Sequence, residues 1–204
     1  MTTASKPKVT CYSDGEGAFM QRSQELRGRW LQPWLALLAR LGVTPNHLTL
    51  LSLLTGLGFC PVFLWGSKLA AFGLLVAHVA LDGLDGPLAR FMGRASNRGS
   101  FSDTSADQVV VAFSTITLIH GGHAGVWPGA LYLFFYTMVV IFAMVRNALA
   151  IPYSWLVRPR FLVYAWFPVE VYLWPGSLDY LLWSASGLLA LKMLTGFIQI
   201  RRRM

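Results

Sequence analysis

Residues 82–107 read DGLDGPLARFMGRASNRGSFSDTSAD, and they join two long apolar segments of the chain. This stretch contains four aspartates, although the whole chain has only nine acidic residues. An aspartate near the middle of a membrane span costs about 2.5–3.5 kcal/mol on insertion scales, so one that is tolerated there is by default a functional candidate. The stretch therefore indicates two membrane helices with a candidate site between them.

The composition around this stretch is typical of a lipid-embedded protein. Hydrophobic residues make up 55% of the 204 residues and charged residues only 13%, whereas about 25% of a soluble domain is charged. Because a transmembrane helix needs about 20 apolar residues, the length has room for roughly six spans and no separate soluble domain. We therefore predict an all-α integral membrane protein with six transmembrane helices.

The six predicted spans follow one another through short loops. They cover about 47–65, 69–90, 101–119, 127–151, 161–174 and 178–200. The fifth is short because Pro168 and Glu170 interrupt its apolar run. Two interpretations of Glu170 stay open, since its carboxylate either lines a cavity or lies near the outer interface.

An amphipathic helix is predicted before the first span, over about 28–41. Its apolar residues recur at helical spacing, and they are Trp30, Trp34, Leu37, Leu38 and Leu41. Arg29 and Arg40 can reach lipid headgroups, so we expect this helix to lie in the membrane interface. Residues 1–27 are predicted to be a flexible cytoplasmic segment, and residues 28–204 a single membrane domain.

Basic residues lie on one side of the predicted spans. The net charge is +8, and the basic residues are concentrated in the 91–100 loop, the loop with Arg158 and Arg160, and the 201–203 tail, whereas the opposite loops hold only Lys68. By the positive-inside rule, both termini and the 82–107 stretch face the cytoplasm. Anionic lipid headgroups, rather than nucleic acid, are the expected partner of this charge.

The acidic stretch places carboxylates and small residues on matching helix faces. On the second span they fall at i, i+3, i+4 and i+7, and are Asp82, Asp85, Gly86 and Ala89. On the third span they fall at i, i+4 and i+8, and are Gly99, Asp103 and Asp107. Because a loop of about ten residues joins the two helices, we expect them to pack antiparallel, so that the four carboxylates converge.

Four converging carboxylates in a low dielectric must either have raised pKa values or recruit counter-cations. Oxygen-only ligation selects hard ions such as Mg²⁺, Mn²⁺ or Ca²⁺, and the lack of nearby Cys and His in the stretch argues against zinc. A two-metal site that holds phosphate groups is therefore predicted. Gly86, Ala89 and Gly99 would let a phosphorylated ligand approach the backbone, and Arg90 can pair with a phosphate.

The spacing also resembles a family pattern. CDP-alcohol phosphotransferases carry Asp, two residues, Asp-Gly, two residues, Ala-Arg, eight residues, Gly, three residues, Asp, three residues and Asp, and every gap is matched here. The six-span layout, the interfacial helix and Thr44-Pro45-Asn46 before the first span are similar too. Residues 28–204 are thus identified as a CDP-alcohol phosphotransferase membrane domain, although the motif itself covers only residues 82–107.

The resemblance implies a metal-dependent enzyme of phospholipid biosynthesis. Asp82, Asp85 and Asp103 would hold two divalent cations, Mg²⁺ or Mn²⁺, and Asp107 would reach them as well and act as the general base. The residues that would shape the nucleotide site are Gly86, Ala89, Arg90 and Gly99. An acceptor hydroxyl would attack the lipid-side phosphorus of a CDP-linked lipid donor, with CMP leaving.

The resemblance is strongest to bacterial members that use CDP-diacylglycerol in the inner membrane. Glycerol 3-phosphate is the first expectation for the acceptor, as in phosphatidylglycerophosphate synthesis, with inositol phosphate, inositol and serine as alternatives. Homodimers are common in this family, but the sequence does not identify an interface.

Residues outside the motif carry weaker signals. Arg146 is predicted to lie inside the fourth span, where an embedded charge favours a role in binding an anionic acceptor. Arg158 and Arg160 are candidates for the same role, but we favour membrane anchoring for them. The histidines are interpreted as loop or packing residues, and they are His47, His78, His120 and His123.

Two other classes of protein fit the sequence less well than an enzyme does. A divalent-cation transporter would distribute acids through the depth of the membrane, whereas the four aspartates lie toward one side. A purely structural membrane protein would leave four carboxylates at membrane level unexplained. Release of CMP that depends on metal separates the enzyme from both.

Overall fold

The computed structural model describes residues 31–149, 151 and 158–203, apart from the side chain of Asn147. Among these residues helices are joined by short turns, and no strand occurs. The predicted flexible segment 1–27 and the start of the interfacial helix lie outside the described residues. The all-helical fold class predicted from the sequence is confirmed.

Seven helices follow in order along the described part of the chain. They are α1 at 31–40, α2 at Pro45–Trp65, α3 at Lys68–Phe91, α4 at Asn97–His120, α5 at Val126–Ala148, α6 at Arg160–Pro168 and α7 at Ser177–Arg201. A π-helical turn, Val169–Leu173, continues directly from α6. Helix α6 and this turn together form the predicted fifth segment.

Four of these helices are long and apolar enough to cross a membrane. They are Pro45–Trp65, Lys68–Phe91, Val126–Arg146 and Ser177–Arg201. Helix α4 has 24 residues but is more polar, and α6 has only nine residues, fewer than the roughly 20 that a span normally needs. The structure therefore supports an integral membrane protein and leaves the count of six spans as a prediction.

Side-chain caps determine where the helices of the acidic stretch begin and end. We predicted a loop over 91–100, but α3 ends at Phe91 and α4 already begins at Asn97. The Ser96 hydroxyl accepts a hydrogen bond from the Gly99 N–H at 3.1 Å, which satisfies one of the unpaired donors of the first turn. The predicted fourth span was also too long at its end, because α5 stops at Ala148.

Helix α2 holds the two helices of the acidic stretch together. It packs against both α3 and α4, and the acidic faces of α3 and α4 meet as expected, with oxygens of Asp82, Asp85 and Asp103 within 4.8 Å of one another. Gly56 on α2 makes the close approach possible: a Cβ there would lie 2.6 Å from Val110 of α4 and 3.2 Å from His78 of α3. Any larger residue would push the helices apart.

The apolar core lies between these helices, α5, α6 and α7. Its largest fully buried side chains include aromatic rings that stack edge to face, such as Phe63 and Phe59 against Phe167. The other members of the core are mostly aliphatic and include Leu75, Val110, Leu178, Leu182 and Leu189. The core links the acidic stretch to the second half of the chain.

Helix α1 packs on the outside of this bundle. Leu35 is buried against Leu48 and Leu88, with Leu31 and Leu38 beside it. Other apolar side chains of this segment remain exposed, and they are Trp34 and Leu37 in the helix and Leu41 directly after it. Helix α1 thus has apolar residues both toward the bundle and away from it, and its position in the membrane interface stays a prediction.

Glu170 stabilises the end of the bundle that lies opposite the acidic stretch. It is 2% exposed, and its carboxylate accepts hydrogen bonds from the N–H groups of Gly176 and Leu178, both at 2.8 Å. His123 lies 3.8 Å from the same carboxylate. Neither of our two interpretations described this contact, because the carboxylate satisfies free N–H groups at the start of α7.

Candidate metal centre and active site

The four motif aspartates lie in two layers. At 1.5 Å per residue, Asp85 and Asp103 each lie about 9 Å from the helix ends that face the 92–96 loop, while Asp82 and Asp107 lie about 14 Å from them. We call Asp85 and Asp103 the outer pair and Asp82 and Asp107 the inner pair. Because α3 and α4 run in opposite directions around the loop, the members of each pair have the same depth.

Three of the aspartates form a candidate metal centre. Asp82, Asp85 and Asp103 each offer an oxygen, and these three oxygens lie within 4.8 Å of one another. Ligand oxygens around a hard cation are separated by on the order of 3–5 Å, because the metal–oxygen distances are about 2.0–2.6 Å. All the donors are carboxylate oxygens, so the site fits Mg²⁺, Mn²⁺ or Ca²⁺.

Helix α2 positions one ligand of this centre. Asp85 is 5% exposed, and its Oδ2 accepts a hydrogen bond from the hydroxyl of Thr49 at 2.7 Å. Thr49 lies one turn after Pro45, at the start of α2, where Thr44 and His47 form a capping box. The segment around Thr44-Pro45-Asn46 thus fixes the start of the helix that orients a buried carboxylate.

Arg160 connects the inner pair. Its guanidinium donates a hydrogen bond through Nη2 to Asp82 Oδ2 at 2.9 Å, and its Nη1 forms an ion pair with Asp107 Oδ2. Arg160 is the first residue of α6 and is only 1% exposed. Membrane anchoring would require a position at the surface. The buried contact of Arg160 therefore does not support the anchoring role that we favoured for it.

His78 lies on the other side of Asp107. Its Nε2 is 4.0 Å from Asp107 Oδ1, and its Nδ1 is 3.1 Å from the backbone carbonyl oxygen of Ser52. The same Nδ1 lies 2.8 Å from the Ser52 hydroxyl oxygen, so α2 holds the ring through two contacts. His78 is 1% exposed, which agrees with a packing residue, but the ring also helps to enclose Asp107.

The predicted nucleotide residues lie near the ends of α3 and α4 that face the 92–96 loop. A Cβ built on Gly86 would meet only Nη1 of Arg90, at 3.5 Å, among the described atoms. Arg90 is exposed in the last turn of α3, while Ala89 and Gly99 are half-buried. The space above Gly86 and the exposed guanidinium are compatible with a phosphate-bearing ligand.

The three predicted acceptor residues occupy different environments. Arg146 is 3% exposed in the last turn of α5, so it is embedded as predicted. Arg158 is half-buried, two residues before Arg160. The structure thus brings Arg160 into contact with the acidic residues, and places Arg146 and Arg158 in or near the segments that flank it.

Sequence reasoning missed three neighbours of the carboxylates. His78 carries a signal, because it lies four residues before Asp82 and therefore on the same helix face. Thr49 and Arg160 carry none, because each reaches its aspartate from a distant part of the chain. Their roles depend on how α2 and α6 pack, which the local pattern does not contain.

Comparison with known proteins identifies the family. The family model for CDP-alcohol phosphatidyltransferase matches residues 42–198. Archaetidylinositol phosphate synthase of Aeropyrum pernix is 34% identical over 116 residues, which is 57% of this chain and 53% of that protein. CDP-diacylglycerol–serine O-phosphatidyltransferase of Mycobacterium bovis is 32% identical over 111 residues, or 53% of this chain and 39% of that protein.

Crystal structures of phosphatidylinositol phosphate synthase from Mycobacterium tuberculosis share the fold. The form with CDP-DAG bound has a TM-score of 0.73 and 19% identity, and the alignment covers 84% of this chain and 94% of that one. The form in complex with manganese and citrate has a TM-score of 0.70 and 19% identity, over 82% of this chain and 87% of that one.

The protein therefore belongs to the CDP-alcohol phosphatidyltransferase family, as the motif resemblance predicted. The chain spans about half the length or less of the curated relatives that it matches. Four apolar helices together with this family membership identify it as an integral membrane protein.

Proposed function

We propose that the protein transfers a phosphatidyl group from CDP-diacylglycerol to the hydroxyl of a small polar acceptor and releases CMP. The observation that carries this proposal is the convergence of Asp82, Asp85 and Asp103 within 4.8 Å in a chain of this family. The relative from Mycobacterium bovis is named for CDP-diacylglycerol, and one of the similar crystal structures contains CDP-DAG.

In this proposal Asp82, Asp85 and Asp103 hold two divalent cations, Mg²⁺ or Mn²⁺, and Asp107 reaches them from the inner pair. A similar crystal structure that contains manganese supports the choice of ion. When bound, divalent cations neutralise the diphosphate of the donor and the charge of the departing CMP. Gly86, Ala89 and Gly99 leave room for the nucleotide, and Arg90 pairs with a phosphate.

Asp107 is the general base of the proposed reaction. Its carboxylate takes the proton of the acceptor hydroxyl, and the hydroxyl oxygen forms a bond to the lipid-side phosphorus while the bond from that phosphorus to CMP breaks. Asp107 lies in the inner pair, one turn beyond Asp103, and His78 and Arg160 enclose it. A carboxylate one helical turn beyond a metal ligand is placed to take the proton of an acceptor hydroxyl at that centre.

The acceptor is a phosphorylated polyol in this proposal. Arg146 is a buried cation in the last turn of α5, and Arg158 follows in the next segment, so an anionic group on the acceptor is favoured over serine or inositol. Glycerol 3-phosphate is the expectation from the sequence. Inositol phosphate is the alternative that the name of the archaeal relative favours, because that relative is an archaetidylinositol phosphate synthase.

In the proposed topology the protein has six spans in a bacterial inner membrane, and its active site faces the cytoplasm. Arg90, Arg94 and Arg98 lie at the acidic end, and Lys68 lies at the opposite end of α3. This arrangement supports the orientation given by the positive-inside rule. A soluble acceptor would then meet a donor whose acyl chains remain in the bilayer. The proposed homodimer rests on the family resemblance alone.

The experiment that tests this function identifies the lipid product. Purified protein is incubated with CDP-diacylglycerol, Mn²⁺ and one acceptor at a time, namely glycerol 3-phosphate, inositol phosphate, inositol or serine, and the lipids are analysed by mass spectrometry. We expect a new phospholipid with one phosphorylated acceptor only. A product with serine or inositol alone would refute the anionic acceptor, and no product with any of them would refute the proposed donor–acceptor chemistry.

A further inference from the structure

The inner pair already has a cation that belongs to the protein. Arg160 places one guanidinium nitrogen on Asp82 and the other on Asp107. Its side chain is 2% exposed, and those of Asp82 and Asp107 are 10% and 15% exposed, so this bridge is largely shielded from water.

We propose that Arg160 is an internal counter-cation that keeps the inner pair closed to a second divalent ion. The first ion binds the preformed group of Asp82, Asp85 and Asp103, and the second binds only when the guanidinium leaves Asp107. The two ions therefore bind in order, with unequal affinity. This inference rests on the metal centre of the proposed function but concerns how that centre is filled.

Competition for the same oxygens supports this order. Asp82 and Asp107 would hold a second divalent ion through the same carboxylates that Arg160 contacts, and two cations in one poorly solvated space repel each other. At Asp85 the contact is with Thr49, a neutral hydroxyl donor. Arg160 thus contacts one carboxylate of the group Asp82, Asp85 and Asp103, but both carboxylates of the inner pair.

The charge balance favours the second ion only when the donor is present. With all four carboxylates ionised, Arg160 and one divalent ion leave the group with one net negative charge, and a second ion makes it positive by one. A diphosphate brings negative charge and would stabilise the two-ion state. The guanidinium thereby couples occupancy of the second position to arrival of the donor.

The test measures Mn²⁺ binding without donor or acceptor. Free Mn²⁺ is followed by electron paramagnetic resonance during titration of the purified full chain in detergent. In the unaltered protein we expect the first Mn²⁺ to bind at least about tenfold more tightly than the second. In Arg160→Gln we expect the dissociation constant of the second Mn²⁺ to fall by about tenfold or more. The first constant should change much less, because its ligands do not all contact Arg160.

Two further variants keep the test decisive. Arg160→Lys keeps the charge but cannot bridge two carboxylates with a planar fork, so it should tighten the second constant by a smaller factor. Arg94→Gln removes an exposed arginine from the 92–96 loop and should leave both constants unchanged, which controls for net charge. In EDTA, Arg160→Gln should melt at a lower temperature than the unaltered protein, and Mn²⁺ should reverse that difference.

The outcomes separate this inference from the proposed function. Equal Mn²⁺ constants in the unaltered protein, Arg160→Gln and Arg160→Lys would overturn the counter-cation while leaving the metal centre intact. An unaltered protein that binds no Mn²⁺ would overturn both. Ordered binding that is lost in Arg160→Gln and unaffected in Arg94→Gln would establish the inference, whatever acceptor the enzyme uses.

Discussion

The four aspartates are chemically alike but have different surroundings. Asp85 receives the hydroxyl of Thr49, Asp82 and Asp107 share Arg160, and Asp107 also faces His78. Asp103 completes the metal centre with Asp82 and Asp85. These different neighbours predict different consequences when single carboxylates are replaced.

Two matched substitutions separate the base from a metal ligand. Asp107→Asn should lower turnover by about 10²–10⁴-fold, because the amide cannot accept the hydroxyl proton, while CDP-donor binding largely survives. Asp82→Asn should weaken metal binding and donor binding together. Both are measured by CMP release and by equilibrium binding of the donor, and near-normal turnover in Asp107→Asn would show that the base has been assigned wrongly.

Arg146 provides the residue-level test of acceptor binding. Arg146→Ala should raise the KM for the acceptor while the affinity for the donor changes little, because the proposal assigns this buried cation to the acceptor's phosphate. The exposed Arg94 supplies the control, since Arg94→Ala removes the same charge from the same side of the protein. An acceptor KM equal to that of the Arg94 variant would show that Arg146 serves membrane orientation and does not bind the acceptor.

At the scale of elements, helix α2 determines whether the site can form. It places the Thr49 hydroxyl within hydrogen-bond distance of Asp85 and packs against both helices of the acidic stretch. Gly56 lies where this packing is closest, with a Cβ position 2.6 Å from Val110. The site therefore depends on a helix that contributes no carboxylate of its own.

This dependence predicts opposite effects for two glycine substitutions. Gly56→Ala should lower the melting temperature and the turnover, because the new methyl group overlaps Val110 and forces α2 away from α4. Gly73→Ala in α3 has nothing within 4 Å of the new Cβ and should stabilise the protein slightly, by about 0.5–1 kcal/mol. Equal melting temperatures for the two variants would contradict this account of how α2 packs.

Local patterns predicted the elements better than their limits. Helix α3 was predicted within one residue at each end, because Ser67 and the end of the apolar run are both visible in the sequence. The start of α4 was missed, because Ser96 caps four polar or small residues that have no apolar periodicity. The π turn after Pro168 was missed as well, because it depends on the contact of Glu170 with the start of α7.

The same limit applies to the candidate site. The spacing of the motif predicted that the carboxylates converge, because helical periodicity places them on two matching faces. The counter-cation was not predictable, because Arg160 lies 53 positions after Asp107 in the sequence and reaches it only through the packing of α6. The carboxylate ligands could thus be predicted from the local sequence, whereas the position of Arg160 beside two of them depends on the tertiary structure.

For the whole molecule, the open question is how many helices cross the membrane. The proposed six-span topology requires α4 to cross, so residues at its two ends must lie on opposite sides. In a background without Cys11 and Cys60, Arg94→Cys should react with a membrane-impermeant thiol reagent from the cytoplasmic side, and Gly122→Cys from the other side. Reaction of both from the same side would refute the six-span topology.

The acidic stretch is proposed to catalyse metal-dependent phosphatidyl transfer. The decisive measurement is CMP release from CDP-diacylglycerol with each of the four acceptors, with Mn²⁺ or EDTA, in the unaltered protein and in Asp107→Asn. We predict that release requires an acceptor and Mn²⁺ together and is lost in Asp107→Asn. Release that continues in EDTA or in Asp107→Asn, or no release with any acceptor and Mn²⁺, would contradict the claim.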